Sequence, residues 1–160
     1  MEPRFIVDSN AGKLARWLRI MGYDALFINT IDDQALVNIA MAEDRVLLTK
    51  DTQIMKRRVI TSGRLKAILI TDDDALSQLR QVVETLGLDY QFHPFSRCLE
   101  CNKPLVSRTK EEVRDMVPPY VFKTQTQYMQ CPSCQRIYWR GTHWQRMEKE
   151  LERLTEGVKK

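Results

Sequence analysis

The 160 residues are 43% apolar and carry a net charge of +4, enough apolar content for a packed core and too much for global disorder. Apolar runs reach only about five residues against the ~20 that a bilayer-spanning helix needs. The N-terminus has no basic, apolar, small-residue leader pattern, so a cytoplasmic location without a membrane partner is expected. The charge is uneven: residues 1–90 hold 12 Lys/Arg and 13 Asp/Glu, whereas residues 91–160 hold 13 and 8. A basic tail beside an acidic-centred body points to a polyanionic partner, nucleic acid first.

Through residue 90 the chain alternates short apolar runs with helical periodicity. Residues 4–7 read as a strand, and residues 12–21 as a helix on Leu14, Trp17, Leu18 and Met21 that Gly22 ends. Strand 25–28 precedes helix 33–42, with Leu36, Val37 and Ala40 inward. Strand 46–49 leads into a helical turn after Asp51. Strand 67–70 precedes helix 74–86, which Gly87 closes, and residues 89–92 read as a last short strand. Such alternation implies an α/β fold with a parallel sheet flanked by helices. Pro94 marks a boundary. Beyond it, Thr109 and Glu112 match a capping box for a helix ending at Pro118-Pro119. Residues 120–130 and 135–140 read as a hairpin, and residues 143–155 as a charged terminal helix.

All four cysteines lie in two CxxC pairs, Cys98/Cys101 and Cys131/Cys134, with 29 residues between. Without a secretory leader a disulfide framework is a poor account. Four thiolates from two knuckles match a closed, structural tetrahedral Zn²⁺ site. A thioredoxin-like redox pair is the weaker alternative, because it needs one CxxC at a helix start.

Three strand-like runs end in aspartate, at Asp8, Asp51 and Asp72, and Asp32-Asp33 opens a helix. Helix capping explains most of these singly; Asp8 fits it least, because Gly12 delays the next helix. In a parallel sheet the strand carboxyl ends share one edge, and carboxylates gathered there call for a compensating cation. Oxygen donors suit Mg²⁺ or Mn²⁺, and metal-dependent phosphodiester cleavage is the chemistry such a site serves. An aspartyl phosphatase wants an acid where Asn10 stands. A Gly-rich phosphate loop is absent. Lys13, Arg16 and Arg19 recur opposite the apolar face of the first helix, and residues 50–66 add Lys50, Lys56, Arg57, Arg58, Arg64 and Lys66. A solvated face is the simplest account of each, but beside a metal site they could hold phosphates. Residues 138–144 interleave aromatics with basic groups, including His143 and Trp144, a pattern that can stack single-stranded bases. Packing of the ribbon onto the main sheet competes with that reading, and for Trp139 is the better one.

Arg4-Phe-Ile-Val-Asp8, Gly12-Lys-Leu-Ala-Arg-Trp-Leu-Arg19, Gly22-Tyr-Asp24, Asp32-Asp33, Arg45-Val-Leu-Leu-Thr-Lys-Asp51, Phe95-Ser-Arg97-Cys98 and Gly141-Thr-His-Trp144 together resemble a known family. It is the RNase domain found at the C-terminus of the mut-seven exonuclease and as stand-alone microbial proteins, a PIN-like nuclease with a zinc ribbon. The resemblance implies a PIN-like domain over residues 1–93, a four-cysteine zinc ribbon over 94–144 and a charged helix and tail over 145–160. It implies RNA cleavage, with Asp8, Asp33 and Asp51 as catalytic Mg²⁺ or Mn²⁺ ligands and Asp72, ahead of Asp74, as the fourth acid. Related toxins carry a further acid where Gln53 stands here, which favours one tightly held ion with a second arriving with substrate. Lys13, Arg16, Lys50, Arg97, His143 and Trp144 are the expected RNA contacts, on single-stranded RNA. Two other functions fit the same residues: a non-catalytic RNA- or ribosome-binding ribbon module, and a toxin or regulator held by a protein partner.

Overall fold

The computed structural model describes residues 2–158. Four parallel strands form the main sheet: β1 (Phe5–Val7), β2 (Ala25–Phe27), β3 (Val46–Thr49) and β4 (Ala67–Leu69), in the spatial order β2-β1-β3-β4. Phe5 pairs with Ala25 on one side and Val46 on the other, so β1 is central and its end is flanked by β2 and β3. Alternation sorts the side chains between two layers. Phe5, Val7 and Leu48 face a core shared with α1 (Gly12–Ile20) and α5 (Ala75–Leu86). Ile6 and Leu47 face Leu36, Val37 and Ala40 of α2 (Asp33–Ala42) and Ile54 of α3 (Thr52–Met55). A further short helix, α4 (Arg58–Thr61), leads back to β4. These are the helix-flanked parallel layers that the alternating pattern implies.

Gly22 sits at φ +97° against the chain at His93; a Cβ there would lie 2.3 Å from the His93 carbonyl oxygen. That close approach brings residues 89–95 across the end of α1. The strand expected over residues 89–92 does not form: the segment is turn. Phe92 instead stacks on Tyr23 at 4.4 Å, and the Tyr23 hydroxyl accepts from the Asp89 backbone N–H. Ring stacking holds this segment, with no strand partner.

The C-terminal part contains an antiparallel sheet of β5 (Val106–Arg108), β6 (Tyr128–Gln130) and β7 (Ile137–Tyr138). The capping box forms, with Thr109 and Glu112 exchanging bonds at 2.9 and 3.2 Å. It opens only a 3-10 turn over Glu111–Val113. Pro118-Pro119 does not end a helix but begins one, α6 (Pro119–Thr124), with Pro119 in its first turn; proline's missing N–H costs nothing there. Residues 120–124 are therefore helical, contrary to the strand expected from 120. Val113, Val117 and Tyr128 form a small core of their own, joined by half-buried Phe122 and Trp139. Trp139 thus packs within the ribbon instead of onto the main sheet. Contact with the main core comes from α7 (Thr142–Val158), whose Trp144, Met147 and Leu151 are buried there with Phe95 edge-on to Trp144 at 4.8 Å, and from Leu99, Met129 and Tyr138 of the ribbon. No described helix is long and apolar enough to cross a membrane.

Candidate active edge and metal centre

Asp8 follows β1 and is 7% exposed. Its Oδ1 accepts from the Ser9 N–H at 2.7 Å, capping a single 3-10 turn over Ser9–Ala11 that leads into α1. Capping therefore applies to Asp8 too, and the delay before the helix is this turn. Its Oδ2 accepts from the Thr49 hydroxyl at 2.7 Å. The same Thr49 oxygen accepts the Asp51 backbone N–H at 3.0 Å, which ties the ends of β1 and β3 together. No Lys, Arg or His among the described residues forms an ion pair with Asp8. A buried carboxylate held only by neutral donors is an attractive place for a cation.

Asp51 is half-buried and caps α3 by accepting from Gln53 and Ile54. Asp32 and Asp33 divide their work. Asp32 caps α2 through the Ala35 N–H at 2.8 Å, while the exposed Asp33 carboxylate has no hydrogen bond or ion pair to a described residue. Beside it, Arg57 donates to Gln34 at 2.7 Å. Asp72 follows β4, one strand further from Asp8 than Asp51 is, and is exposed. Its backbone carbonyl accepts from buried Gln78 at 2.9 Å. Asp74 caps α5 through Ser77. No three carboxylates among the described residues come within 4.8 Å of one another; the four cysteines do. The oxygen donors at Asp8 and Asp51 fit a hard divalent cation by type, but Asp33 and Asp72 are not gathered with them at ligand distance.

The cysteine centre is built symmetrically. In each knuckle the N–H after the second cysteine returns to the first one's carbonyl, Asn102 to Cys98 at 3.0 Å and Gln135 to Cys131 at 2.9 Å. Asn102 and Gln135 take left-handed φ of 63° and 67° to make that turn. The thiols compete for protons. A hydrogen bond with Cys134 pushes the Cys101 thiol up to about 12, while the Arg136 backbone N–H draws Cys134 down to about 7. A metal ion such as zinc, taking all four as thiolates, would end that competition.

The first knuckle is fastened to edge strand β2. Asn102 Oδ1 accepts the Ala25 N–H at 2.9 Å, and its amide donates to Asp24 at 2.6 Å. Arg19, expected on the solvated face of α1, is buried and donates to the carbonyls of Ala25 at 2.9 Å and Leu99 at 2.8 Å. Sequence reasoning missed Thr49, Arg19 and Asn102. The signal available for Thr49 was a hydroxyl at the end of an apolar strand, two residues before an aspartate.

The expected RNA contacts divide. Lys13 and His143 are exposed. Arg16 pairs with Glu100 at 2.7 Å, and Lys50 pairs with Asp73. Trp144 is 4% exposed and packs in the main core. Arg97 is half-buried and donates to the carbonyls of Asn102 at 2.7 Å and Gly22 at 3.4 Å.

The fold and site define a helix-flanked parallel α/β chain with acids at the carboxyl edge and a ribbon whose four cysteines could hold a metal such as zinc. The Mut7-C RNAse domain family matches residues 3–151, and the chain belongs to that family. No curated protein and no solved structure matches it. Family membership supports a nuclease-like role, with RNA as the substrate class.

Proposed function

We propose that the chain is a metal-dependent endoribonuclease with a PIN-like domain, working on single-stranded RNA in the cytoplasm, where reducing conditions keep the thiols available as zinc ligands. The observation that carries this is the buried Asp8 carboxylate, without an ion pair among the described residues and joined through Thr49 to Asp51, in a chain of an RNase family. Asp8 and Asp51 would hold Mg²⁺ or Mn²⁺; Asp33, unspent but outside ligand distance, would have to close on the bound ion, with Asp72 further along the same edge. Bound there, such an ion supplies a water of lowered pKa and offsets charge on the phosphoryl oxygens. Thr49 and the Ser9 N–H keep Asp8 oriented. Lys13, Arg16 and Lys50 would take flanking phosphates, the last two by exchanging Glu100 and Asp73 for RNA. The ribbon would grip RNA or a protein partner.

The test is cleavage of labelled single-stranded RNA with Mn²⁺ by the unsubstituted protein and by Asp8→Asn. Loss of cleavage in the variant is expected; equal activity in both proteins would sink the assignment. A second reading, a non-catalytic RNA-binding module, is favoured by one observation: Asp8, Asp32, Asp51 and Asp74 all accept backbone N–H groups. It predicts RNA binding without cleavage.

A further inference from the structure

A cleft of about 280 Å³ is lined by Arg16 of α1, Tyr138 and Trp139 of the ribbon, and Trp144 and Met147 of α7. It is distinct from the carboxylate edge. Gly141 lets the Trp139 indole lie close to the start of α7, since a Cβ there would sit 3.0 Å from the indole nitrogen. Three polar groups at the cleft, the Trp139 N–H, the Thr142 hydroxyl and the His143 imidazole, have no hydrogen-bond partner among the described residues. Arg16 donates to the Glu100 carboxylate at 2.7 Å, and exposed Arg136 lines the same cleft. An apolar cavity with a few converging, unspent polar groups is the usual form of a small-ligand site. Two arginines lining one cleft, one of them held by a removable carboxylate, suit a phosphate in its place.

We propose that this cleft binds one nucleotide of the RNA strand, its base against the Trp139 indole with Thr142 and His143 at the base edge, and its phosphate at Arg16 and Arg136. The inference rests on the ribonuclease reading for the identity of the strand. Lys13 and Arg16 lie one turn apart on α1, a helix that starts four residues after Asp8. A strand lying at Asp8 would therefore follow these two cations into the cleft. On this account the ribbon selects which nucleotide accompanies the scissile bond.

The test uses the full chain carrying Asp8→Asn, so that RNA stays whole, and fluorescence anisotropy with a labelled single strand of about 12 nucleotides. Arg136→Gln and Trp139→Leu should each weaken binding about tenfold, the scale of one stacked base or one charged phosphate contact. Arg153→Gln, further along α7, should change it less than about twofold. Because Trp139→Leu also trims the ribbon core, NMR of the parent protein gives an independent readout: RNA should shift the Trp139 indole N–H signal and spare that of buried Trp144. An unmoved Trp139 signal at saturating RNA, unchanged affinity in Arg136→Gln, or no RNA binding at all overturns the proposal. Cleavage is read separately on the chain with Asp8 intact. RNA that binds through the cleft yet is never cut sinks only the hydrolase reading. RNA cut equally well by the cleft variants sinks only the cleft.

Discussion

Thr49 donates its hydroxyl to Asp8 Oδ2 at 2.7 Å, and this one bond joins the ends of two neighbouring parallel strands. Thr49 is fully buried, so the bond to a carboxylate is shielded from water. Thr49→Val keeps the shape and removes the donor; it should cost about 1.5–3 kcal/mol, the range for hydrogen bonds to charged groups. Urea unfolding measures that loss. RNA cleavage should fall with it, and Thr49→Ser should restore both. Undiminished cleavage in Thr49→Val would show that Asp8 needs no such orientation.

Asp51 serves two roles that substitution can separate. As the cap of α3 it accepts from Gln53 and Ile54. Asn caps nearly as well, whereas Ala forfeits about 1 kcal/mol. Asp51→Asn should therefore match the parent in thermal stability and Asp51→Ala should not, while both lose cleavage. If Asp51→Asn cleaves normally, the residue is a cap alone.

The ribbon metal should be integral to the main sheet, because the first knuckle holds Ala25 of β2 through Asn102 and is itself held by Arg19. Cobalt substitution should give the absorption of a tetrahedral four-thiolate site with one ion per chain, and loading should release protons from the thiols. Chelation should increase hydrogen exchange at Ala25–Phe27 as well as in the ribbon. Arg19→Met should lower metal affinity at least tenfold, since it frees the Leu99 carbonyl. Exchange unchanged in β2 after chelation would show the two parts to be independent.

The acid limb of stability should report Asp24. Burial works to raise its carboxyl, but hydrogen bonds from Arg45 and Asn102 outweigh that and hold it below the ordinary range. A depressed folded value contributes stability that is complete above the unfolded value near ~3.9 and is lost as pH falls through the lower folded one. Asp24→Asn should be less stable than the parent at pH 6 and approach it below that window. Urea midpoints from pH 6 to pH 2 measure the difference; a constant gap across the range would exclude titration of Asp24 as its source.

Much of the fold was legible because local pattern and tertiary role agree. Continuous apolar runs at Phe5–Val7 and Val46–Leu48 suit a sheet covered on both faces, and helix stops at Gly22 and Gly87 obey backbone sterics wherever they occur. Residues 89–92 and 120–124 misled for one reason: short alternating segments do not separate strand from turn or helix, and a ring stacked on Tyr23 or a proline at a helix start decided each.

Read alone, the chain determined the parallel α/β architecture, the pairing of four cysteines and the placing of aspartates at strand ends, all consequences of residue spacing along a regular backbone. Only the tertiary structure decided which groups are spent. It buried Arg19 and Trp144, occupied Arg97 with carbonyls and assigned the α2 cap to Asp32, leaving Asp33 unspent. It also linked Asp8 to Asp51 through Thr49. Whether a charged side chain meets water, a carbonyl or another charge depends on neighbours far away in sequence, and the free energy of that choice is set by burial, which spacing does not encode.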